Sequence, residues 1–149
     1  MAKISPALER VLMWLSVGLI TVIAFETLAV NTSMPTVVKE LDGQNLYALA
    51  MGVVLATQLI TTALAGPWSD HKSPQTCLYT GTAFFALGLV LCTFAPTMYL
   101  FVCGRAIQGL GGGLCVVPLY TLVGSSVRPS RQPAFFAAFA AAWVLPSLV

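Results

Sequence analysis

The stretch MYLFVCGRAIQGLGGGLCVVPLYTLV, Met98 to Val123, contains one charged side chain, Arg105. Its length is that of a membrane crossing, since the hydrocarbon core takes about 20 mostly apolar residues in a helix. A guanidinium does not lose its proton at ordinary pH, so the membrane must accommodate a permanent cation. Insertion scales put that at about 2.5–3.5 kcal/mol at a helix centre. A chain that carries such a charge normally supplies a buried partner or a water-filled path for it. A second long apolar segment is interrupted by Glu26. Two ionisable residues inside apolar spans point to a transport pathway.

Composition agrees. Hydrophobic residues make up 58% of the 149 residues and charged residues only 8%, against about 25% charged in ordinary globular domains. Too little polar surface is left to cover a soluble core, so the chain is expected to be an all-α integral membrane protein. The net charge of +2 is too small to point to nucleic acid, and what matters is where the charges sit.

Five spans are expected, at about residues 11–38, 46–68, 76–95, 98–123 and 134–149. Glu26, Asn31 and Pro35 make the outer third of the first span polar. The fifth is incomplete, with room for about 24 Å of helix. A helix stopping inside the membrane reads as a cut, so an N-terminal portion of a longer protein is expected.

Basic residues set the orientation. Lys3, Arg10, Lys72, Arg128 and Arg131 fall on one side of this topology and only Lys39 in a loop on the other. The positive-inside rule then places the N-terminus in the cytoplasm, in a multi-pass protein of the plasma (inner) membrane. Lys3 and Arg10 ahead of an apolar run also resemble a signal peptide, but the run is long for that and more spans follow.

Catalytic chemistry finds little support. Cys77, Cys92, Cys103 and Cys115 lie within or at the edge of apolar segments, without C-x-x-C spacing or a nearby His. They read as small apolar side chains, not as metal ligands. No paired carboxylates and no nucleophile with a base stand out, so neither an enzyme, a cofactor nor a metal is expected. Gly109, Gly111 and Gly112 sit inside an apolar span with no preceding strand, which argues against a phosphate-cradling loop and for close helix packing. Pro35 and Pro118 are expected to kink or end their helices. Asp70 reads as a solvated turn carboxylate or as a helix N-cap.

Depth brings several polar residues together. Counting inward from the outer ends of their spans, Glu26 lies about 15 Å deep, Arg105 about 10 Å and Gln58 about 17 Å, at 1.5 Å per residue. Asn31 is shallower. Gln108 is about as deep as Glu26 and, three residues after Arg105, shares a helix face with it. A polar cluster of Glu26, Gln58, Arg105 and Gln108 is therefore expected near the midplane, facing the bundle interior. Two readings stay open: Glu26 exchanges a proton or binds a cationic substrate, or Glu26 and Arg105 form a static ion pair.

Three stretches resemble motifs of the major facilitator superfamily. The turn Gly66-Pro67-Trp68-Ser69-Asp70-His71 carries that family's cytoplasmic-loop Gly and Asp at matching spacing. His71 replaces a basic residue there, and Ser73, Pro74 and Gln75 replace the following Gly and basic pair. Gly104-Arg105-Ala106-Ile107-Gln108-Gly109, with Gly111 and Gly112, resembles the fourth-helix motif. Phe25 to Pro35 resembles a first-helix motif of drug:proton antiporters, with Glu26 in place of the usual Asp and with Asn31 and Pro35 matching. The fifth-helix Gly-Pro of those antiporters does not occur up to Val149, although Pro146 stands where its approach would begin.

The resemblance implies part of an N-terminal six-helix bundle whose C-terminal half is absent. It implies proton-coupled export of small amphipathic or cationic compounds, with the lipid bilayer, a small-molecule substrate, protons and the C-terminal half as partners. A proton-symport importer of a metabolite and a non-transporting membrane fragment are the alternatives. It also implies that Gly66 and Asp70 belong to a cytoplasmic latch against the other half, and that the chain does not transport alone.

Overall fold

A computed structural model describes residues 5–144. Lys3, Pro146 and the end of the expected fifth span lie outside the described residues. The element order is α1 (Pro6–Glu40), a short 3-10 turn (Gln44–Leu46), α2 (Tyr47–His71), α3 (Pro74–Thr93), α4 (Met98–Ser126) and α5 (Gln132–Val144). There is no strand among the described residues. The protein is an all-α integral membrane protein. Its first four helices are long and apolar enough to cross a bilayer, and α5 is shorter over the residues described.

Helix ends follow local chemistry. Ser73 caps α3, its Oγ accepting the Thr76 N–H at 3.2 Å, and Pro74 occupies the first turn, where a missing N–H costs nothing. Asp70 is therefore not an N-cap; it lies in the last turn of α2. After α1 the chain reverses at Asp42, whose φ of 46° is left-handed, a conformation Asp adopts more readily than most residues. The Gly43 N–H reaches back to the Val38 carbonyl at 2.9 Å.

Pro35 and Pro118 do not end their helices. Both lie inside, as does Pro67 in α2. A proline leaves the carbonyl four residues earlier without its helical donor, and membrane helices tolerate this when a neighbour supplies one. At Pro118 the orphan is the Leu114 carbonyl, and the buried Cys77 of α3 donates its thiol to it at 3.7 Å.

The chain forms two compact bodies, one from Met1–Val30 with Leu119–Val149 and the other from Asn31–Pro118. In the second body the small residues of α4 let two neighbours approach. A Cβ built on Gly109 would collide with Thr57 Oγ1 and the Val54 carbonyl of α2, and one on Gly113 would meet Thr61 and the Gln58 carbonyl. These two glycines are four apart and so share a face, as in small-xxx-small helix contacts. Gly111 opposes α3 instead, its Cβ position 2.6 Å from the Gly81 carbonyl oxygen. Gly104 faces the same helix, 2.7 Å from Cys92 Sγ. Gly112 differs from its neighbours: a Cβ there would meet only the Gln58 side chain, at 3.8 Å.

In the first body, Tyr120 of α4 stacks on Phe136 of α5, with ring centroids 5.6 Å apart, and meets Phe139 edge-on at 5.4 Å. Gln132 closes the connection between these helices, its Nε2 donating to the carbonyls of Gly124 and Val127 at 3.1 and 3.2 Å.

Candidate functional site

The site is built outward from α4. Arg105 and Gln108 are among the largest fully or nearly fully buried side chains, 2% and 1% exposed. Their i,i+3 spacing puts them on one face, and Arg105 Nη1 donates to Gln108 Oε1 at 2.8 Å. A charge-assisted hydrogen bond in a low-dielectric interior fixes both side chains. Gln108 Nε2 is buried with no hydrogen-bond partner among the described residues. It is a donor held ready in an apolar setting.

The backbone behind this pair is closed by α3. A Cβ on Gly88 would stand 2.5 Å from the Gln108 nitrogen, so the helices touch main chain to main chain there. On the α2 side, Gln58 is partly buried and its side chain lies over Gly112, one turn along α4 from Gln108. The threonines beside it are spent on their own helix: Thr57 and Thr61 donate to the carbonyls of Val53 and Thr57 at 2.9 and 3.0 Å. Among the described residues the buried polar group left without a hydrogen-bond partner on this face is Gln108 Nε2.

The other residues singled out from sequence are placed as follows. Glu26 is partly buried in α1 and belongs to the first body, whereas Gln58, Arg105 and Gln108 belong to the second. Asn31 is exposed in the C-terminal third of α1. Gly66 is partly buried with open space where a Cβ would project, and Asp70 is exposed one turn later.

One ionic group was missed by the sequence reading. Glu9, ahead of the apolar run of α1, accepts from Arg128 Nε at 3.0 Å and from Arg128 Nη2 at 2.9 Å. The partners are 119 positions apart, and no local pattern signals their pairing. The one available hint was an acidic residue among the basic residues that precede the first span.

The family model described as Major Facilitator Superfamily matches residues 15–149. The chain belongs to the major facilitator superfamily. Among its relatives is the acurin A biosynthesis cluster MFS-type transporter of Aspergillus aculeatus, 27% identical over 93% of this chain and 25% of that protein. A probable multidrug-efflux transporter of Mycobacterium tuberculosis is 26% identical over 78% of this chain and 25% of its own length. The multidrug resistance protein MdtL of Shigella flexneri is 31% identical over 56% of this chain and 22% of its own. The chain spans about a quarter of the length of the curated relatives it matches. No solved structure matches it.

Within this major facilitator chain, α4 offers a permanent cation and an amide donor side by side in an apolar bundle. Such a pair can bind an anionic group or stabilise a carboxylate in its ionised form. Among the described residues, no group of three His, Cys, Asp or Glu side chains could hold a metal ion. The relatives named above are transporters, not enzymes.

Proposed function

We propose that this chain acts in proton-coupled export of small amphipathic or cationic compounds, in company with the C-terminal half of a major facilitator transporter. The observation that carries the reading is the buried Arg105–Gln108 pair in an apolar helix. A fixed cation there is costly, and intramembrane charges of this kind mark transport pathways. The probable multidrug-efflux relative of Mycobacterium tuberculosis supports the direction of transport. In this reading Glu26 takes and releases the coupling proton or meets the cationic substrate. Gln58 and Gln108 line the path, Asn31 stands towards its outer mouth, and Gly66 with Asp70 latches the cytoplasmic side. The N-terminus lies in the cytoplasm and the protein resides in the plasma (inner) membrane, as the basic residues of one side favour.

The test is efflux of a fluorescent lipophilic cation from cells expressing the complete reading frame, wild type against Glu26→Gln at matched levels. Loss of pH-driven efflux in the variant supports proton-coupled export through Glu26. Efflux unchanged in the variant removes Glu26 from coupling. Efflux from neither form overturns the exporter reading.

A further inference from the structure

The connection between α4 and α5 carries Arg128 and Arg131, and both turn towards one carboxylate. Arg128 meets Glu9 along the edge formed by Nε and Nη2, at 3.0 and 2.9 Å, and its backbone N–H reaches Glu9 Oε1 at 3.4 Å. Arg131 Nε stands 4.0 Å from the same Glu9 Oε2 that Arg128 Nη2 engages. The Glu9 side chain is fully buried, whereas those of Arg128 and Arg131 are 39% and 51% exposed. One carboxylate thus holds two guanidinium groups as neighbours that would otherwise repel each other.

The donors left over matter. A guanidinium has five N–H groups in a rigid fork. Arg128 spends Nε and Nη2 on Glu9 and Arg131 approaches it through Nε alone, and both side chains remain partly exposed. With one carboxylate against two guanidinium groups, the group carries a net positive charge. The exposed Arg10, next to Glu9 in the chain, adds another.

The location sets the partner. The loop joins α4, long and apolar enough to cross a membrane, to the shorter apolar α5, and in the topology proposed above its polar turn stands at the headgroup layer. With the N-terminus in the cytoplasm this is the leaflet surface where anionic lipids attract basic residues. A phosphodiester matches the guanidinium fork in shape and charge.

We propose that Arg128 and Arg131, held side by side by Glu9, bind the phosphate of an anionic phospholipid headgroup. The proposal rests on the placement of this loop at the cytoplasmic leaflet surface and not on the transport cycle, so failure of the efflux reading leaves it standing.

Native mass spectrometry of the purified chain tests it, with phosphatidylglycerol and phosphatidylcholine of matched acyl chains supplied in equal amounts. Wild type is expected to retain phosphatidylglycerol about fivefold over phosphatidylcholine, from attraction of basic side chains to anionic lipid. Arg131→Gln, at a half-exposed position, is expected to bring that ratio to within about twofold of unity. Arg131→Lys keeps the charge and loses the fork, and is expected to fall between. Lys39→Gln, in the last turn of α1 and so at the opposite end of that helix from Glu9, is expected to change nothing. Equal retention of the two lipids by wild type overturns the proposal. So does an undiminished ratio in Arg131→Gln, or a fall of the same size in Lys39→Gln. If the glutamine variant does not fold, the lysine variant decides: an undiminished ratio there overturns the two-guanidinium site.

Discussion

Cys77 of α3 donates its thiol to the Leu114 carbonyl of α4 at 3.7 Å, at the acceptor that Pro118 leaves without a helical donor. Cys77 is thus more than an apolar filler. It satisfies a backbone group that lipid cannot. Cys77→Ala is expected to destabilise the protein by about 1–3 kcal/mol, the range for stranding a buried acceptor, and Cys77→Ser by less. Pro118→Ala restores an N–H at position 118, so the cost of Cys77→Ala should shrink in that background. Thermal unfolding in detergent, run as a double-mutant cycle, reads the difference.

The glycines of α4 are not equivalent. Gly109→Val adds a Cβ that would collide with Thr57 and the Val54 carbonyl, with two methyl groups beyond it, and is expected to cost about 1–3 kcal/mol or more through overpacking. Gly112→Ala meets only an ordinary contact with the Gln58 side chain and should lie within about 0.5 kcal/mol of wild type. Denaturant unfolding of the two variants in the same detergent checks the contrast. Equal losses would mean that the seam between α2 and α4 is not where α4 is tightest.

Gln108→Leu removes the Oε1 acceptor of Arg105 Nη1 while approximately keeping volume. Loss of a hydrogen bond to a charged group predicts a cost of about 1.5–3 kcal/mol. The removed Nε2 makes no hydrogen bond among the described residues, so its loss should offset part of that cost. The same thermal assay measures it, and a neutral result would mean that Arg105 is held by its other surroundings.

Arg128 and Arg131 should differ in their effect on the fold. Arg128→Gln removes two direct hydrogen bonds to a buried carboxylate, whereas Arg131→Gln removes a contact at 4.0 Å. The melting temperature is expected to fall clearly in the first and little in the second. Adding Glu9→Gln to Arg128→Gln should recover part of the loss, because no unpaired carboxylate is then left buried. Fully additive losses would show that Glu9 and Arg128 are not energetically coupled.

Much of the architecture was legible in the residues. Runs of apolar side chains point to the all-α membrane class, and the structure has five apolar helices among the described residues, four of them long enough to cross a bilayer, because a bilayer admits helices of that length and composition and little else. Boundaries set by single residues were less legible. Pro118 reads equally as a kink or a stop until it is found inside α4 with Cys77 beside Leu114, and Asp70 reads equally as a turn carboxylate or a cap until Ser73 is found capping α3. Gly109, Gly111 and Gly112 look alike in sequence. Their difference depends on which neighbour each one faces, as does the close approach at Gly104 and Gly113.

The candidate site divides in the same way. That Arg105 and Gln108 share a face follows from helical spacing alone. That Arg105 Nη1 bonds to Gln108 Oε1, and that Gly88 closes on the Gln108 backbone, required the packed helices.

By itself the sequence determined the all-α membrane class, the approximate spans and the resemblance to major facilitator transporters. Each follows from local composition, period and motif, which need no distant partner. Only the tertiary structure decided that Glu9 pairs with Arg128 and that Cys77 serves Leu114. These contacts join positions far apart in the chain. Burial demands that a polar group find a partner, but the packing of the helices chooses which one.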